Sequence, residues 1–161
     1  MIKFFKPNPR VTGNGCSFSY NSKDQSFWIN FVKQSSWENG KGKFQVGPDK
    51  KANAKFSATE IAGMIQAIDS NKSMKDLGLN GYHGYDGNTT TYNFGPYIKD
   101  GNQVGFSLAL NQTKDGNKKS FVMGFTYPEA RLLREYLLTA LNKSNTYSIE
   151  NSFGEKSEKD F

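Results

Sequence analysis

The sequence predicts an α+β chain made of two repeats, each an antiparallel sheet followed by one amphipathic helix. Three observations predict it: two matching helix starts, matching alternating segments ahead of them, and one difference in the length of chain between.

The helix starts are the clearest match. Residues 56–68 read Phe-Ser-Ala-Thr-Glu-Ile-Ala-Gly-Met-Ile-Gln-Ala-Ile, and residues 125–137 read Phe-Thr-Tyr-Pro-Glu-Ala-Arg-Leu-Leu-Arg-Glu-Tyr-Leu. At a spacing of 69, Phe56 matches Phe125, Ser57 matches Thr126, Glu60 matches Glu129 and Met64 matches Leu133. Ser57 and Thr126 are N-caps with a glutamate three residues on, which gives two capping boxes. Phe56 and Phe125 precede the caps, where they can staple onto Ile61 and Ala130. Pro128 falls in the first turn, where a missing N–H costs little. Apolar residues then recur at helical spacing: Ile61, Met64, Ile65 and Ile68, then Ala130, Leu133, Leu137 and Leu141. Two ordinary helix starts can match by chance, so the strands must agree as well.

They do. Phe27, Ile29 and Phe31 share one parity, as do Phe106, Leu108 and Leu110, the pattern of a half-buried strand. Here the spacing is 79, so the first copy holds a connection ten residues longer, within residues 35–54. In the second copy the connection is the tight turn Lys114-Asp-Gly-Asn. Residues 17–21 and 89–94 read as an earlier strand in each copy, with Ser19-Tyr20-Asn21 echoing Thr91-Tyr92-Asn93. The organisation expected is an N-terminal arm (1–15, with a short strand at 2–5), a first repeat (16–76), a Gly/Tyr-rich connecting loop (77–88), a second repeat (89–143) and a flexible acidic tail (144–161). The two repeats are expected to form one compact domain.

Composition narrows the function. Of 161 residues only 35% are hydrophobic, yet 14% are aromatic, and the net charge is +6. Residues 150–161 carry four acids against two lysines, so the rest of the chain is more basic than the total indicates. A basic body favours polyanionic partners. Cys16 is the only cysteine and His83 the only histidine, which leaves no disulfide, no zinc set and no Ser-His-Asp arrangement. No nucleotide-binding loop or metalloprotease motif is present. The acids are scattered singly, which does not favour a two-metal centre. No catalytic residue, metal or cofactor is therefore expected. No apolar leader or membrane span is visible, and a cytoplasmic location is the default, in a host cell if the protein is viral.

Aromatic and basic residues interleave in three places. These are Lys3, Phe4, Phe5, Lys6 and Arg10; then Trp28, Lys33, Trp37, Lys41, Lys43 and Phe44, followed by Lys50, Lys51 and Lys55; then Tyr82, His83, Tyr85, Tyr92 and Tyr97. Trp28 has the parity opposite to Phe27, Ile29 and Phe31, so it faces outward if they face the helix. A ring exposed on a sheet beside lysines suits stacking of unpaired bases with neutralisation of their phosphates. The competing reading packs Trp28 under a loop or a partner subunit, leaves the lysines solvated and makes the Gly/Tyr loop a linker. The candidate nucleic-acid-binding residues are Trp28, Lys33, Trp37, Lys41, Lys43, Phe44, Lys50, Lys51, Tyr82, Tyr85 and Tyr92. Glu158, Asp160 and Phe161 form a candidate docking tail, in which a ring enters an apolar pocket while cations bind the carboxylates.

The paired sheet-then-helix pattern over residues 16–142 resembles the ββββα repeats of the Whirly and Pur-alpha families and of positive cofactor 4. The Lys41-Gly-Lys43-Phe44 stretch is similar to their lysine/glycine loops. That resemblance implies two ββββα-type repeats that bind single-stranded DNA, or RNA, on sheet surfaces and strand-connecting loops. Asp160 and Phe161 resemble the acidic tips of bacterial and phage single-stranded DNA-binding proteins, which recruit replication and repair enzymes. Together these imply a sequence-tolerant, non-enzymatic binder acting in replication, recombination or repair, of a phage and able to form homo-oligomers. An RNA-binding or annealing protein and a structural or adaptor virion protein are the alternatives.

Overall fold

A computed structural model describes residues 1–44, 47 and 50–159, with side chains through residue 146. The first repeat contains β1 (Ile2–Lys6), β2 (Asn14–Asn21), β3 (Ser26–Lys33), a hairpin of β4 (Ser36–Glu38) and β5 (Lys41–Lys43), then β6 (Lys51–Phe56) and α1 (Ala58–Ser70). The second contains β7 (Tyr82–Tyr85), β8 (Asn88–Lys99), β9 (Asn102–Lys114), β10 (Asn117–Phe125) and α2 (Tyr127–Lys159). The sheets run β1-β2-β3-β6 and β10-β9-β8-β7, with antiparallel pairing throughout, so each repeat is a ββββα unit.

Strand register makes the duplication explicit. Phe27 stands opposite Phe56, and Phe106 stands opposite Phe125, so both sequence spacings join equivalent pairs. The longer connection of the first copy holds the β4–β5 hairpin. In the second copy two residues suffice, Asp115 and Gly116, at φ 52° and 79°, as a primed hairpin turn requires.

Four expectations change. Residues 2–6 are not part of a separate arm but the outer strand of the first sheet. The Gly/Tyr-rich segment contains β7, paired to β8 from Tyr82↔Thr91 to Tyr85↔Asn88 across an Asp86-Gly87 turn with both φ positive. The echo of Tyr20 in Tyr92 is out of register. Phe18 faces Ile29 and Phe94 faces Leu108, which makes Phe18 and Phe94 equivalent and gives Tyr92 the place of Cys16. Finally, the backbone from 144 to Lys159 continues α2, where a flexible tail was expected.

The inner faces of both sheets and one flank of each helix share a single core. Rings meet across it: Phe4 and Phe18 on Phe125, Phe31 on Phe121, and Phe56 on Tyr92. Ile61, Met64 and Ile65 of α1 and Ala130, Leu133 and Leu137 of α2 are buried there, at the spacing read from sequence. The helices are tied by a bidentate Arg134–Asp69 pair at 2.6 and 2.8 Å.

Both capping boxes are formed, and each glutamate does a second job. Glu60 accepts the Ser57 N–H and, through its other oxygen, the Tyr92 hydroxyl and His83 Nε2. Glu129 accepts the Thr126 N–H and the Lys6 ammonium, the latter at 2.6 Å. His83 and Lys6 lie at matching positions on the outer strands β7 and β1. Each helix cap is therefore braced by the other repeat's sheet. Burial favours the neutral form of Glu60, but the Ser57, Tyr92 and His83 contacts outweigh it and hold the carboxyl below its ordinary range. Glu129 is likewise lowered, with burial outweighed by Lys6 and Thr126. Burial, then the bond to Glu60, raises the Tyr92 phenol.

Candidate nucleic-acid interface

On the outer face of the first sheet the register sets side chains in rows. Ser19, Trp28 and Lys55 form one; Lys3, Ser17, Asn30 and Asn53 the next; Phe5, Gly15, Val32 and Lys51 the third. Phe27, Ile29 and Phe31 point the other way into the core, so alternation places Trp28 outward, as its parity requires. The ring is anchored: its N–H donates to Ser26 Oγ at 2.9 Å, and Ser26 donates to Asp24 at 2.6 Å. The Ser26 hydroxyl holds the Asp24 carboxyl below its ordinary range. With the indole N–H already bonded, the exposed part of the ring is left to a planar apolar partner.

Beside Trp28 the surface sinks where β6 meets the second repeat. A cleft of about 530 Å³ is lined by Trp28, Lys55, His83, Tyr85 and Lys114. A second, of about 660 Å³, is lined by Asn30, Val32, Lys51, Lys114, Asp115 and Lys119. The two share Asn53, Gln112 and Lys114. Gln112 donates to the Asn53 carbonyl at 3.2 Å, and Lys119 donates to that of Lys51 at 3.3 Å. These bonds stitch the first sheet's edge strand to the second repeat along the bottom of the path. Lys51, Lys55, Lys114 and Lys119 face it with Asp115 as the acid among the lining residues. The path is basic, aromatic at one end and open, so a single strand's phosphates can follow it while a base stacks on Trp28.

No protein-family model matches the chain, and no curated protein sequence matches it either. Solved structures do match. WHY1 from Arabidopsis thaliana superposes with a TM-score of 0.63 at 13% identity, covering 97% of this chain and 91% of that one. The fold is that of the Whirly proteins. The plant transcriptional regulator PBF-2 gives 0.63 at 14% identity over 94% of this chain and 86% of its own. A guide-RNA-binding protein complex bound to a gRNA gives 0.65 at 14% identity over 91% and 92%.

Within this Whirly fold the residues singled out from sequence divide. Trp28, Lys51 and Tyr85 line the basic path, and Tyr85 is 85% exposed at its hairpin tip. Phe44 packs on Phe5, ring centroids 5.0 Å apart, at the far side of the same sheet face. Trp37, Lys41 and Lys43 lie on the β4–β5 hairpin and do not line the clefts; Lys43 pairs with Glu38 at 2.9 Å. Lys50 is exposed just ahead of β6. Tyr82 belongs to the other face, opposite Thr91 on the second sheet.

Two assignments fail on geometry. Lys33 shares the parity of Phe31, so its ammonium lies over the Phe121 ring at 5.2 Å rather than beside Trp28. Tyr92 is 6% exposed, a core ring whose hydroxyl serves Glu60, and it cannot stack on a ligand. Asp160 and Phe161, and the side chain of Glu158, lie outside the described residues.

Lys114, Lys119 and Asn30 line the clefts without being singled out by the sequence, which presents Phe5 and Lys3 only as part of an arm. Strand parity could have found Asn30, two residues from Trp28. Nothing in the sequence signals Lys114 and Lys119, which arrive by packing of the second repeat. Among the described residues no cluster of three or more metal-ligating side chains occurs, and no helix is long and apolar enough to cross a membrane.

Proposed function

We infer that the protein binds single-stranded nucleic acid, without catalysis, along the path from Trp28 over β6 to Lys119. One observation carries this reading: an outward, anchored tryptophan opens onto a continuous cleft in which lysines outnumber acids. Stacking and phosphate neutralisation together give sequence-tolerant binding. Single-stranded DNA is the substrate proposed, with strand protection in replication, recombination or repair, in the cytoplasm of a cell or of a phage-infected host, as the role. Homo-oligomers and docking through Glu158, Asp160 and Phe161 belong to the same proposal.

A Trp37→Phe variant reports Trp28 alone. Its emission should be quenched by oligo-dT, and binding should weaken steeply with salt. Unchanged emission at low salt would sink the reading. Competition between matched DNA and RNA oligomers assigns the natural strand.

A further inference from the structure

The basic path does not end at Val32. Asn30 and Val32 also line a third cavity, of about 550 Å³, on the outer face of the first sheet. Its walls are aromatic: Phe5, 50% exposed, and Phe44, with ring planes 56° apart. Phe5 lies so close over Gly15 that a Cβ there would stand 2.5 Å from the ring, so only glycine lets the wall close in. On the floor the register sets Lys3 beside Ser17 and Ser17 beside Asn30: cation, hydroxyl and amide in a row. Among the described residues none of these three has a side-chain hydrogen bond or ion pair.

The cavity is also rigid at its base. Gln34, 3% exposed, accepts the Asn8 and Gly13 N–H groups and donates to the Asn8 and Ser36 carbonyls. That network fixes the start of the β4–β5 hairpin against the β1–β2 connection. The second repeat has no such hairpin. By register, its counterparts of Gly15, Ser17 and Asn30 are Thr91, Asn93 and Ala109. The cavity is thus special to the first copy.

We propose that this cavity is a base-selective subsite that takes one unstacked adenine from the bound strand. The base lies against Phe5 and Phe44, its N6–H and N7 meet the carbonyl and amide of Asn30, and Lys3 takes the adjoining phosphate. An asparagine amide offers one donor and one acceptor side by side, which matches that edge of adenine. The proposal rests on the nucleic-acid reading above and adds selectivity to it at one position.

The test uses the full chain, oligo-dT, and oligo-dT carrying a single dA moved along its length. The wild type should bind one dA register about tenfold more tightly than oligo-dT. Asn30→Ala should erase that preference, bringing its affinities for the dA-containing oligomers and for oligo-dT within twofold of each other, with an unchanged melting temperature as the folding control. Substituting 7-deaza-dA, which lacks the N7 acceptor, should reproduce the loss with the wild-type protein. If every oligomer binds equally to the wild type, the subsite is refuted and the nucleic-acid reading stands. A preference that survives Asn30→Ala also refutes it. If no oligomer binds at low salt, both fall.

Discussion

The outer faces of the two sheets share a strand order and a register but not a chemistry. Down the third strand of the first sheet run Trp28, Asn30 and Val32; the equivalent positions of the second are Ser107, Ala109 and Asn111. The first sheet's last strand presents Lys51, Asn53 and Lys55, and the second's presents Ser120, Val122 and Gly124. The second face keeps its rings at the margins, Tyr82 on the outer strand and Tyr97 over Gly124. Duplication supplied two equivalent platforms, and only one has acquired a central ring and a cation row. The binding proposed above thus rests on side chains that the fold tolerates at outward positions, where changing them costs the core nothing.

The contrast can be broken most directly at its centre. Trp28→Ala should cost about 1–3 kcal/mol of oligo-dT affinity, while Val122→Ala on the opposite face should cost none, both read by anisotropy titration. Equal losses would mean that the strand lies elsewhere.

Next in size is a change that should alter folding and leave the faces alone. Glu60→Gln removes a charged acceptor that serves Ser57, Tyr92 and His83, and should destabilise the fold by about 2 kcal/mol in urea denaturation. Glu129→Gln, more exposed and braced by Lys6 alone, should cost less. Both carboxyls have folded values below the ordinary 4.5. Their stabilisation is therefore complete above pH 4.5 and is lost as pH falls through the lower folded values. Melting temperature measured from pH 6 down to 3 should fall less steeply in each variant than in the wild type. Affinity at pH 7, measured well below the melting point, should not move.

Smaller still is the lysine row. Lys51→Gln with Lys55→Gln should lower the slope of log affinity against log salt by about 1.4, while Lys118→Gln on the second sheet leaves it unchanged. Smallest is the tail: deleting Asp160 and Phe161 should keep oligo-dT affinity within twofold and remove capture of a replication or repair partner in pull-down.

Much of this was legible in the sequence because local chemistry and tertiary register agree. Ser57 with Glu60 and Thr126 with Glu129 mark helix starts regardless of context, and the strand parities around Phe27 and Phe106 survive into the sheets. Strand β7 was hidden because Gly81, Gly84 and Gly87 dilute its pattern, although Asp86-Gly87 is a hairpin signal of the same kind as Asp115-Gly116. Tyr92 was misplaced because a polar-Tyr-Asn echo outweighed the better marker, the phenylalanine two residues on. Lys33 was grouped with Trp28 by nearness in chain, although its parity already turned it inward. The basic path was only half legible: Trp28 and Lys51 belong to one repeat, whereas Lys114 and Lys119 reach it through sheet packing that no local pattern encodes.

The two helix-cap braces have a consequence for how the chain is made. Glu60 and His83 are 23 residues apart, and both leave the ribosome close together. Lys6 and Glu129 are separated by 123 residues, so the N-terminal strand emerges roughly ten seconds before its anchor exists. Until Glu129 is made, the first sheet's outer strand is held within its own repeat, by β2 and by the packing of Phe5 on Phe44. The bond that ties β1 to the second helix cap is therefore one that the chain can make only late in its synthesis.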